Sequence, residues 1–163
     1  MEKLEKDILA LLTEDSRISA GQIAAALKIS EAEAEAKIRS LEDRGIIVKY
    51  TAIINADSVD EDIVEALIEV KVTPQRGHGF DAIAEEVSAH SEVQSLYLMS
   101  GAYDLAVIVR GRSLKEISRF VSEKISTYDS VISTATHFIL KKYKVEGAET
   151  REAEGGKRIS VQA

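Results

Sequence analysis

Ten residues from Ile53 to Asp62, IINADSVDED, divide the chain into halves that follow different rules. Before them, apolar residues recur every three or four positions; after them, β-branched runs alternate with helix-like stripes. The polar, acidic end of this stretch reads as a linker. The sequence therefore predicts a unit over 1–52, a linker over 53–62, a second unit over 63–143 and a tail over 144–163.

In the first half, Leu4, Ile8 and Leu11 form one helical stripe that Leu12 widens. Glu14 and Asp15 lead into a turn, and Ile18 tucks beneath that helix. Ser19 with Gln22 is a capping box opening a second helix, whose inner face is Ile23, Ala24 and Leu27. Lys28 and Ile29 make the turn into a third. Ser30 with Glu33 caps that one, Ala34, Ile38 and Leu41 line it, and Gly45 stops it. Ile46 to Tyr50 then reads as a β-prone run carrying Lys49. Three short helices, a glycine stop and a basic strand have the layout of a winged helix-turn-helix, with the third helix placed for a major groove. A small helical cap on a larger domain has the same layout, and from this stretch alone both readings stand. Some fifty residues bury little surface, so the unit is expected to be marginal by itself.

The second half changes pattern. Ile63 to Thr73 is a strand ending at Pro74, and Gln75 to Gly79 a loop. Phe80, Ile83, Ala84 and Val87 are a helical stripe closing near His90. Val93–Met99 and Leu105–Val109 are strands joined so tightly that they form a hairpin. Ser113 with Glu116 opens a helix lined by Ile117, Phe120, Val121 and Ile125, and Val131–Tyr143 is the last strand. Strand, helix, strand, strand, helix, strand is the ferredoxin-like βαββαβ arrangement, so the fold class is α+β. Both helices must cover one face of the sheet. The strands LIEVKV and LAVIVR leave apolar groups on the other face whichever parity is chosen, and a second copy packed there is the simplest cover. In the tail, EGAETREAEGG reads as flexible, while KRISVQA is either disordered or a short added strand.

Charge tempers the nucleic-acid reading. The formal net charge is −7, and residues 1–50 carry eight Lys/Arg against ten Asp/Glu. That argues for low affinity toward non-specific DNA without excluding a local basic patch. The chain has no cysteine, which removes disulfides and thiolate metal sites. No apolar run approaches a membrane span and the charged N-terminus is unlike a signal peptide, so the cytoplasm is the expected compartment. His78, His90 and His137 lack metal spacing: solvated or capping roles suit the first two, and packing or an interface suits His137. No nucleophile–base pair stands out, and no cofactor is indicated.

The turn Gly101-Ala102-Tyr103-Asp104 is the other place for chemistry. Glycine admits close backbone approach, freed backbone groups suit a carboxylate, and Asp104 suits an ammonium. Together they fit a zwitterionic amino acid, with Met99, Ser100, Thr134 and Thr136 as further walls. The alternative is that Tyr103 packs and Asp104 only caps the turn.

Residues 1 to about 143 resemble the Lrp/AsnC, or feast/famine, family. The N-terminal half matches through Ile18, Ile23-Ala24, Ile29-Ser30, Leu41-Glu42, Gly45, Ile47 and Tyr50-Thr51-Ala52. The C-terminal half matches through the GAYD turn and VISTATHFILKKYK. The resemblance implies a winged helix-turn-helix on double-stranded DNA, joined to a ferredoxin-like (RAM) domain that dimerises. It further implies small effectors, often amino acids, bound between dimers, and assembly to tetramers or octamers. It tips the turn toward the ligand reading. The third helix departs from the family: Ala36, Lys37 and Ser40 stand where arginines are common, and Glu31, Glu33 and Glu35 stand at its start. Of these, Glu33 is expected to be taken up by the cap. Ser30, Lys37, Arg39, Ser40, Arg44 and Lys49 are the residues expected at DNA, with the four cations on phosphates.

Three functions follow. The first is an effector-responsive DNA-binding transcriptional regulator. The second is an oligomeric ligand- or partner-binding relative with weakened DNA affinity. The third is an enzyme, since sirohaem decarboxylases share this resemblance. Their His-Asn-Tyr-x-Arg signature has neither its histidine nor its arginine in VQSLYLMSGAYD, so the expectation is no enzyme.

Overall fold

A computed structural model describes residues 1–55, 59, 63–74 and 79–150. The chain divides into two compact units at Ile53/Ile54. Most of the acidic linker, the loop at 75–78 with His78, and the tail segment KRISVQA lie outside the described residues.

The first unit holds α1 (Lys3–Glu14), α2 (Ala20–Leu27) and α3 (Glu31–Asp43). Its core is Ile8, Leu12, Ile23, Ala24, Ala34 and Leu41, with Ile18, Ile38 and Ile47 packed around them. The α2 capping box forms in full: Gln22 N–H donates to Ser19 Oγ and Ser19 N–H to Gln22 Oε1. At α3 only half appears. Glu33 N–H donates to Ser30 Oγ at 3.2 Å, but among the described hydrogen bonds Glu33 returns none, so the cap does not consume its carboxylate. Gly45 (φ +66°) ends α3 as expected, with Ile46 N–H donating to Leu41 O and Gly45 N–H to Glu42 O. This is the Schellman arrangement, which satisfies the last helical carbonyls. The basic strand expected at Ile46–Tyr50 does not form: the N–H groups of Ile46 and Ile47 both turn back to Leu41 O, and no ladder is made among the described residues.

The second unit is a four-stranded sheet in the order β2-β3-β1-β4, all neighbours antiparallel. The strands are β1 (Val64–Val72), β2 (Val93–Leu98), β3 (Leu105–Gly111) and β4 (Val131–Ile139); the helices are α4 (Asp81–Ser88) and α5 (Leu114–Glu123). Ala66, Ile68, Val70, Leu105, Val107 and Val109 turn inward onto Ile83, Val87, Ile117, Phe120 and Val121. The strongest apolar groups of both central strands therefore share the covered face. Register puts Glu65, Leu67, Glu69, Lys71, Ala106, Ile108, Arg110, Ala135 and His137 on the other. That face is a mixture of apolar groups and ion pairs, more polar than the sequence suggested.

Three further details differ from expectation. Glu116 Oε2 accepts from Arg112 N–H at 2.7 Å rather than from Ser113, so the α5 capping box slips by one residue. β4 ends at Ile139, opposite Glu65, where β1 has almost run out of residues to pair. Finally, the flexible stretch expected after Tyr143 begins with a small hairpin, β5 (Lys144–Val145) and β6 (Ala148–Glu149). Glu146 (φ +45°) and Gly147 (φ +84°) give its two-residue turn the positive angles of a type I′ hairpin.

Candidate functional site

The cations of α3 do not all face the same way. The Lys37 ammonium lies 2.6 Å from Glu2 Oε2, and the Arg44 Nη2 lies 2.6 Å from Glu5 Oε1. Both residues were expected on phosphates; both are instead turned toward the start of α1. The reason is spacing: Lys37, Ser40 and Arg44 fall one turn apart on the flank of α3 beside α1. Arg44 Nε also donates to Ser40 O.

Glu5 is only 5 % exposed, and its second carboxylate oxygen accepts from Glu2 N–H at 3.0 Å. That backbone N–H, ahead of Arg44, holds the Glu5 carboxyl below its ordinary range despite burial, which pushes the other way. The Glu2 carboxylate correspondingly raises Lys37.

At about 100° per residue, the side of α3 opposite buried Ala34 and Leu41 carries Ala32, Ala36, Arg39 and Asp43, all exposed. Arg39 and Lys49 have no ion pair among the described residues. Glu31 leans away over α2: a β-carbon on Gly21 would come within 3.2 Å of its carboxylate. Glu42 accepts from Tyr50 Oη at 2.9 Å. Ser30 is held in its cap.

By sequence Lys28 is only a turn residue. It is exposed and adopts φ +58°, the left-handed conformation, between α2 and α3. A cation at the helix-to-helix turn was the available signal for it. Glu2 and Glu5 had none, because their partners lie 35 and 39 residues away.

In the second unit, Met99 N–H donates to Asp104 O and closes the β2–β3 hairpin, leaving Ser100, Gly101 and Ala102 exposed. Nothing lies within 4 Å of where a Gly101 β-carbon would sit. The Asp104 carboxylate is part-committed: Oδ2 accepts from Val72 N–H at 2.8 Å, while Asp104 N–H donates to Val70 O. It thus extends the β3–β1 ladder past the Val70↔Leu105 pair, the capping role among the two readings, with Oδ1 left over. Thr134 and Thr136 lie opposite Val70 and Ile68 on β4, half-buried on the helix-covered side. β1 separates them from β3, a gap of about 10 Å at the usual strand spacing. Within one copy, the residues expected at an effector fall into two groups.

His90 Nε2 lies 2.9 Å from Tyr128 Oη, and its ring packs edge-on against Phe120, so it is a core-margin residue rather than a solvated one. His137 Nε2 lies 3.4 Å from Glu69 Oε1 on the outer sheet face. Among the described residues, no three His, Asp or Glu side chains group to hold a metal. No helix there is long and apolar enough to cross a membrane.

Comparison with known proteins places these units. Residues 1–48 match the model of a winged helix-turn-helix DNA-binding unit, and residues 65–149 that of the Lrp/AsnC ligand binding domain, which runs through β6. YugG of Bacillus subtilis, an uncharacterised HTH-type transcriptional regulator, is 48% identical over 96% of this chain and 95% of its own. A leucine response regulatory protein of Mycobacterium tuberculosis superposes with a TM-score of 0.74 at 20% identity, over 93% of this chain and all of its own. A transcriptional regulator of Neisseria meningitidis, solved with L-Met, superposes at 0.69 and 23% identity, over 89% and 93%. At these identities the structures attest the shared fold.

Proposed function

The chain belongs to the Lrp/AsnC family of transcriptional regulators, and from that premise we propose how its parts divide the work. Residues 1–52 bind double-stranded DNA, residues 53–62 link, and residues 63–143 bind a small effector and join copies of the chain. The observation that carries the DNA reading is the α2–Lys28–α3 unit, whose outward α3 face is clear of its own core. Lys28, Arg39 and Lys49 are the cations left to meet DNA. Lys37 and Arg44 now act within the unit, which favours a DNA affinity lower than the count of basic residues suggests.

For the effector we propose an amino acid at the Gly101–Asp104 turn. The L-Met complex of the neisserial relative and the leucine response of the mycobacterial one support that class. The separation of the turn from Thr134 and Thr136 fits a site completed by a second copy. A dimer through the outer sheet face, extending to tetramers or octamers, would supply one, and the regulator is placed with its DNA in the cytoplasm.

Retention of genomic fragments over a salt series tests the first part. Salt-dependent binding is expected, and Lys49→Ala should flatten the slope by about one. No retention at low salt moves the reading to an oligomeric ligand-binding relative. Calorimetry against the common amino acids tests the second. Asn at 104 can still accept from Val72 N–H while losing the charge, so Asp104→Asn should weaken binding by about 1–3 kcal/mol. Light scattering tests assembly, and a clean monomer at micromolar concentration overturns it.

A further inference from the structure

On α3, two of the four glutamates have a neighbour that accounts for them. Glu31 lies over Gly21 and Glu42 accepts from Tyr50, while the carboxylates of Glu33 and Glu35 have neither a hydrogen bond nor an ion pair among the described residues. Every cation but one is likewise engaged, Lys37 by Glu2 and Arg44 by Glu5. Glu33 lies one turn before Lys37 on the flank of α3 beside α1, so the two left over toward the outward side are Glu35 and Arg39. They stand four residues apart, the spacing at which Arg119 and Glu123 come within 3.9 Å of each other, yet no ion pair joins them. Both are exposed, Arg39 on the outward side of α3 and Glu35 on its border.

An unpaired carboxylate beside a phosphate-lined groove is costly unless something there donates to it. In the major groove two base edges donate, the exocyclic amines of cytosine and adenine; adenine sets its N7 acceptor beside the amine, which disfavours a carboxylate, so cytosine is the better partner. Guanine offers the complementary pair of acceptors to an arginine. Ala32 and Ala36, short side chains on the same outward side, leave room for both to reach. Asp43 also faces outward, but it is the last residue of α3, farthest from the end of a recognition helix that enters the groove.

We propose that Glu35 and Arg39 are the specificity-determining pair, Arg39 reading a guanine and Glu35 a cytosine about two base-pair steps away. The spacing follows from their separation of about 6 Å along the helix axis, against about 3.4 Å per base pair. The inference rests on the DNA-binding reading above and names what that surface recognises. It also explains how an acidic recognition helix works in a DNA-binding protein: the carboxylate rejects every base that cannot donate to it.

The test is selection from a randomised duplex pool by the full chain, followed by titration of the selected duplex and its single-base variants. The wild type is expected to enrich one guanine and one cytosine at fixed spacing in each half-site, each worth roughly tenfold to a hundredfold over the wrong base. Glu35→Ala should erase the cytosine preference and keep the guanine. Glu35→Gln should replace cytosine by adenine, the base glutamine reads. Arg39→Ala should erase the guanine. Circular dichroism confirms that these exposed substitutions leave the helices folded. If Glu35→Ala keeps the same base pattern and only tightens binding to every duplex, the glutamate merely repels phosphate and the proposal is overturned. A wild type that retains no duplex at low salt overturns the DNA-binding reading instead.

Discussion

Among the described residues each unit buries one glutamate against an arginine, and the two arrangements differ in kind. In the helical unit, Glu5 is 5 % exposed and ties the first N–H of its own helix to Arg44 at the far end of α3. In the sheet unit, Glu65 is 8 % exposed and takes two cations, Arg110 directly across the β1–β3 ladder and Lys142 beyond the end of β4. The first carboxylate organises helix ends; the second fastens strands that are already paired. Among the described residues, the helical unit has six buried core side chains and the sheet unit thirteen, so polar tethers carry a larger share of the first. A small unit that owes its geometry to charge pairs is also one whose DNA surface is set by them.

Core truncation should separate the units most. Leu41→Ala and Ile68→Ala each remove a fully buried side chain, at about 2–5 kcal/mol. In the helical unit that loss should remove the fold; in the sheet unit it should only lower the melting temperature. Circular dichroism melts read the difference, and equal shifts of one shared transition would break the comparison.

A smaller effect belongs to Glu65. Burial alone would raise its carboxyl, but Lys142 and Arg110 together hold it below its ordinary range. A lowered folded value means stability present above about pH 4.3, the unfolded value, and lost as pH falls through the folded one. Glu65→Gln should cost about 1–3 kcal/mol at neutral pH and flatten that acid limb. Glu5, lowered chiefly by Glu2 N–H, should show the same sign in the transition of the helical unit.

Caps come next. Ser19→Ala removes a complete capping box and should cost about 1 kcal/mol, more than Ser30→Ala, whose box is half-made. Smallest is Lys28→Gly, which should relieve the left-handed backbone by about 1 kcal/mol or less while weakening DNA retention. A variant both more stable and equally retained would take Lys28 out of the interface.

What was legible in the sequence was what depends on near neighbours. The Ser19–Gln22 box, the Gly45 stop and the inward stripes involve residues within a turn or two, and the βαββαβ succession follows from the alternation of strand-like and helix-like runs. The orientation of Lys37 and Arg44 was hidden, because Glu2 and Glu5 meet them only after α1 and α3 pack. Asp104 looked free for a ligand because its partner, the Val72 N–H, lies 32 residues back on another strand. The strand expected at Ile46–Tyr50 had the right residues, but a strand also needs a neighbour. The hairpin after Tyr143 turns on Glu146-Gly147, a serviceable turn pair set in polar surroundings that read as a loose tail.

The central place of β1 also bears on how the chain is made. Of the four sheet strands it leaves the ribosome first, yet both its ladders, to β3 and to β4, use segments synthesised later. From Val64 to Ile139 takes about 4–15 s at ordinary translation rates. Through that interval Ile68 and Val70 have no completed sheet to enter, and both edges of β1 can accept a foreign strand. Release of β4 is therefore the event that commits this unit to its fold, and slowing translation before Val131 lengthens the time during which nascent copies can aggregate.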